Sequence, residues 1–258
     1  MELWSKVAFS LGTGAILWVL HRWIGKYPPP LPESRDRGRE LREVLLLWLV
    51  AVAVPVLRIY VIAPWLERAL SDRTLRELVN VPLLSLPYLA LPLYVCVRQH
   101  RWTAKDLGLV WRVRSRSVAV FAVAFGVLSG SVPILTGQAV MGFDPLPAGE
   151  FLLLVYTNSF LEEFYHRGVI QSKLERALGQ GRAVLWGGVL FGLTHVAFDV
   201  SRLMATQGLV AVLLTVLLQS MAGWFFGIVY MKTRSLWPGI ACHYSVNWLS
   251  AILAGLLR

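Results

Sequence analysis

The sequence predicts an all-α polytopic membrane protein of about eight transmembrane helices, folded as a single integral domain over residues 1–258. Three observations predict it. Of 258 residues, 56% are hydrophobic and only 16% charged, against roughly 25% charged in soluble domains. Apolar runs near the roughly 20 residues that cross roughly 30 Å of hydrocarbon recur along the whole chain. No polar stretch between them is long enough to make a soluble domain.

The runs fall at about 4–21, 43–65, 81–97, 117–136, 149–165, 183–200, 208–231 and 238–257. The first carries Trp4 and Trp18 near its ends and no clear small-residue cleavage site, so it reads as a retained helix and not as a signal peptide. The Pro run in "KYPPPLPESRDRGRE" marks a stiff polar loop before the second run. Arg58 within that run reads as snorkelling or structural. Trp23, Trp65, Trp102, Trp111 and Trp237 fall near other span ends, as an interfacial aromatic belt would. No internal repeat interrupts the series.

The net charge of +10 does not point to nucleic acid. The basic residues sit in short loops between apolar runs. Loop 1 carries Arg22, Lys26, Arg35, Arg37, Arg39 and Arg42; loop 3 carries Arg98, Arg101, Lys105, Arg112, Arg114 and Arg116. Loop 4 carries none and loop 6 only Arg202. The positive-inside rule then puts the odd loops in the cytoplasm and both termini on the far side. The excess of Arg over Lys fits a GC-rich genome, and the expected location is a bacterial inner (plasma) membrane. Cys96 and Cys242 lie in apolar segments without a CxxC or a disulfide pattern.

The spans cannot avoid burying certain polar side chains. In span 5 these are Glu162, Glu163, His166 and Arg167; in span 6, His195; in span 8, His243 and Asn247. An ionisable residue inside a membrane is by default a functional hypothesis. Glu163 and Arg167 are i, i+4 and can pair. Glu162 lies about 100° around the helix, free to face a cavity. Phe191 shares a face with His195, and His243 with Asn247. With 1.5 Å of rise per residue, Glu162 lies about 17 Å into its span, His195 about 18 Å, and His243 and Asn247 about 8 and 14 Å. One cavity opening to the cytoplasm accommodates all four.

Each residue also has a structural explanation. A lone membrane His is commonly a helix–helix hydrogen-bonding group, and Asn247 alone would be packing glue. Asp199, i+4 from His195, reads as a helix-end residue. Together, however, a carboxylate, two imidazoles and an amide make a kit for hydrolysing an amide without a covalent nucleophile. The carboxylate acts as base on water and a His carries the proton. A second His with Asn donates to the developing oxyanion. Glu163-x-x-His166 occurs only once, unlike the doubled motif of di-iron bundles. A single zinc held by Glu162, His195 and His243 is the metal-dependent alternative.

"EEFYHR", "FGLTH" and "HYSVN", in that order in late helices, resemble the CAAX prenyl protease and bacteriocin-processing (CPBP) family of intramembrane glutamic proteases. "DLGL" (Asp106–Leu109) is similar to a recurrent family feature. The resemblance covers about residues 149–250, as a catalytic core. It implies that Glu162 activates water with His195 assisting, that His243 and Asn247 form the oxyanion site, and that Glu163, Arg167 and Phe191 support them. It implies no metal and no cofactor. The partners expected are the lipid bilayer and a membrane-anchored or prenylated protein or peptide substrate, with no nucleic acid. The rival from another class is a non-catalytic membrane immunity or assembly factor.

The charge bias makes a direct prediction. A topology reporter fused after Trp111 reports the cytoplasm, and one fused after Gly142 reports the opposite side; the reverse pattern would invert the orientation.

Overall fold

The computed structural model describes residues 3–136 and 159–256, and among these the chain contains helices and no strand. Eight continuous helical stretches follow one another. They are α1 (Leu3–Arg22); α2 (Arg37–Leu57), running through a π-helical segment Arg58–Ile62 into α3 (Ala63–Ala69); α4 (Arg73–Pro92), continued by a π-helix Leu93–Gln99; and α5 (Arg116–Leu135). Then come α6 (Leu161–Glu163), a π-helix Phe164–Gln171 and α7 (Ser172–Leu178) as one stretch; α8 (Gln180–Thr194); α9 (Val196–Thr233); and α10 (Trp237–Leu256). Arg37–Ala69, Arg116–Leu135 and Val196–Thr233 are long and apolar enough to cross a membrane. The expected run 149–165 lies outside the described residues up to 158.

Span 6, expected over 183–200, ends earlier. The helix breaks at His195, and the residues expected as loop, 201–207, are helical. The cause is local. The His195 N–H bonds Gly192 O at 3.1 Å, tightening the last turn, while the His195 ring Nδ1 takes the Phe191 carbonyl at 2.8 Å. The imidazole thus replaces the main-chain donor that would have continued the helix. A second interruption follows at Gly208, whose backbone is non-helical at φ 77°.

Small residues set how closely the site helices pack. In α5, a Cβ on Gly126 would lie 2.7 Å from Cys242 Cα, and one on Gly130 2.1 Å from Ser245 O. That Gly-x-x-x-Gly face therefore seats α10 on either side of His243, by the close backbone approach that membrane helices use. Gly188 and Gly192 of α8 do the same against Gly223 and Ser220 of α9.

Charges gather the loops around α7. Buried Lys173 donates to Glu40 Oε2 at 2.8 Å and to Glu43 Oε2 at 2.6 Å. Glu175 takes Arg234 and the N–H of Leu31 in the Pro-rich loop. Lys232, fully buried, donates to the carbonyls of Leu20, His21, Ile24 and Gly25 and so caps the end of α1. Trp102, expected at the interface, is instead buried beneath Lys173 and Arg176. The "DLGL" segment docks against the site helix: the Leu236 N–H donates to Gly108 O at 2.9 Å, and Leu107 O lies 2.8 Å from where a Cβ on Gly168 would be. Burial works to raise the Asp106 carboxyl, but Thr103 hydrogen bonds, Arg176 and Lys105 outweigh it and hold it below its ordinary value.

Gly130→Leu has no room without moving the α10 backbone. It is expected to destabilise the fold by about 1–3 kcal/mol, seen as a lower Tm in detergent. A wild-type Tm would contradict the close seam.

Candidate active site

Glu162 and Glu163 sit on the short α6 turn that leads into the π-helix Phe164–Gln171, all eight of whose residues are buried. π-Helical turns concentrate at functional sites because they re-aim side chains. Here the segment turns Glu163 inward. Its side chain is 1% exposed and its Oε2 lies 3.4 Å from Arg167 Nε, also 1% exposed. Its Oε1 lies 3.0 Å from His243 Nδ1. A carboxylate only accepts, so His243 donates from Nδ1 and turns Nε2 away.

Glu162 points the other way, with 25% of its side chain exposed. His195 Nε2 lies 3.9 Å from Glu162 Oε2, and His243 Nε2 lies 3.8 Å from the same oxygen. The His195 tautomer follows from its partner as well: the Phe191 carbonyl can only accept, so Nδ1 carries the proton and Nε2 faces Glu162. Both gaps exceed a direct hydrogen bond and match the span of one bridging oxygen.

Aromatic rings hold these groups in place. Phe191 meets the rings of His195 at 4.8 Å and His166 at 5.0 Å. The Arg167 guanidinium stands 4.2 Å from its centroid, a cation–π contact. Phe226 of α9 stacks on His243 at 4.8 Å, and Arg167 reaches across to Gly223 O at 3.2 Å.

The structure thus brings together Glu162, His195 and His243, with Glu163, Arg167 and Phe191 behind them. Asn247 lies one helical turn beyond His243 on α10, exposed, and no hydrogen bond reaches it among the described residues. Two features escaped sequence reasoning: Phe226 and the glycine seams. The seams had a signal in the i, i+4 glycines of "FGVLSG" and "GGVLFG", but not their partners.

Metal chemistry can be tested on the same atoms. Zinc ligands stand about 2.0–2.2 Å from the ion. Glu162, His195 and His243 do not form a set within 4.8 Å of one another; among the described residues only Glu40, Glu43 and His100 do. Two of that set, Glu40 and Glu43, already hold a cation, the Lys173 ammonium.

Residues 144–249 match the family model described as type II CAAX prenyl endopeptidase Rce1-like. The match covers less than half of the chain, and over that stretch the chain is similar to the Rce1-like family. The match includes the "EEFYHR", "FGLTH" and "HYSVN" segments. The matched stretch is thus similar to a family of endopeptidases, and it lies in a chain with helices apolar enough to cross a membrane. Searches of curated proteins and of solved structures found no match.

Glu163→Gln leaves the Arg167 charge buried without its carboxylate. The expected loss is about 3–5 kcal/mol, read as a lowered Tm in detergent; an unchanged Tm would contradict the ion pair.

Proposed function

We propose that this chain is an intramembrane endopeptidase that hydrolyses a peptide bond of a membrane-anchored protein or peptide with a water activated by Glu162. The observation that carries the proposal is the convergence of His195 Nε2 and His243 Nε2 on one Glu162 oxygen at 3.9 and 3.8 Å.

In this reading Glu162 removes a proton from the bridging water as the oxygen attacks the scissile carbonyl. His195 Nε2 takes that proton and returns it to the leaving amine, its ring held by the Phe191 carbonyl. His243 carries a proton on Nε2 and donates it as a hydrogen bond to the oxyanion. Glu163, on Nδ1 of the same ring, orients it and balances its charge, as the carboxylate of a catalytic triad does. Asn247 joins the oxyanion site from the same face of α10. No cofactor enters these steps.

The whole chain is one integral membrane domain with about eight spans and residues 149–250 as its core. Its site opens to the cytoplasm of a bacterial inner membrane. A bilayer-embedded site suits a substrate tethered to that bilayer, and the family description names a CAAX prenyl endopeptidase as one such enzyme class. The substrate is bounded by its anchor, a lipid-modified or transmembrane tail beside the scissile bond.

The test is cleavage of a membrane-anchored peptide library by the purified chain in proteoliposomes. Glu162→Gln is expected to lower turnover by about 10²–10⁴-fold, the usual worth of a general base, with its Tm near wild type. Undiminished cleavage by Glu162→Gln would sink the proposal. Loss of wild-type cleavage on adding a zinc chelator would favour the metal-dependent reading.

A further inference from the structure

Asp199 and Gln219 form a buried pair that the proposed chemistry does not use. Asp199 is 3% exposed and lies in the first turn of α9. Its N–H bonds the His195 carbonyl at 3.0 Å. Its Oδ1 accepts from Gln219 Nε2 at 3.2 Å, across twenty residues of chain and beyond the Gly208 interruption. The two remaining oxygens, Asp199 Oδ2 and Gln219 Oε1, are both buried and both lack a hydrogen-bond partner.

An ionised carboxylate has acceptors only, so it leaves both oxygens unsatisfied, and burying unpaired polar groups and charge is costly. No charged or titratable neighbour among the described residues hydrogen-bonds either oxygen. The Arg202 guanidinium stands 5.0 Å over the Phe198 ring, and His195 directs its ring nitrogens to Phe191 O and Glu162. One proton satisfies both oxygens. A carboxylic acid protonated at Oδ2 donates to Gln219 Oε1 while Gln219 Nε2 donates to Oδ1, closing a ring of two hydrogen bonds. Exchanging the amide oxygen and nitrogen only moves that proton to the other carboxyl oxygen.

We infer that Asp199 is a neutral carboxylic acid locked to the Gln219 side-chain amide. This acid–amide ring ties the helical leg that begins at His195 to the leg that follows Gly208. The second leg carries Gly223 and Phe226, which touch Arg167 and His243, so the tie braces two walls of the site from behind.

Infrared spectra of the purified chain at pH 7 test the protonation state. The wild type is expected to show a protonated-carboxyl C=O band that Asp199→Asn lacks. If that difference band is absent and a carboxylate band is lost instead, Asp199 is ionised and the inference is overturned. Melting tests the ring. Asp199→Asn keeps both hydrogen bonds, because its Nδ2–H replaces the acid O–H, and should melt near wild type. Asp199→Leu and Gln219→Leu each strand a buried partner and should melt lower. Asp199→Asn melting as low as Asp199→Leu overturns the ring. Both readouts are taken without substrate, so their failure leaves the proposed hydrolysis untouched.

Discussion

The carboxylate of Glu163 is the constraint around which the site is arranged. It is buried among apolar helices, where a lone charge is untenable. One oxygen faces Arg167 on its own helix and the other faces His243 on α10. Arg167 in turn packs on Phe191 of α8 and bonds Gly223 of α9. Satisfying one buried charge therefore fixes the relation of four helical segments. Glu162, its neighbour in sequence, is left as the carboxylate with access to water.

The different placement of the two carboxylates was legible from spacing alone. Glu163 and Arg167 are i, i+4, so their pairing is a local matter that periodicity reveals. The meeting of Glu162 with His195 and His243 was legible from depth, because a span of known rise places each residue along the membrane normal. Seven of the eight apolar runs overlap helical stretches among the described residues, while most of the run at 149–165 lies outside them.

Other features depend on information that the pattern does not hold. The break at His195 arises because a side chain displaces a main-chain donor, and hydropathy is blind to that exchange. The π-helix through Arg167 leaves no signature in apolar spacing. Lys173 finds Glu40 and Glu43 from far along the chain, which no local rule anticipates. Trp102 looked interfacial by position, yet two cations and the core cover it. Asn247 shares a helix face with His243, yet it is exposed and no hydrogen bond reaches it among the described residues.

The chemical claim at the centre is that water, and no side chain, attacks the peptide bond. The most direct measurement is a single turnover, with enzyme in excess, in water enriched in heavy oxygen. Mass spectrometry then follows both the product and the peptide containing Glu162. Direct attack by water places heavy oxygen in the new carboxyl group of the product and none in Glu162. Heavy oxygen in Glu162, or an acyl adduct on the enzyme, would contradict the account.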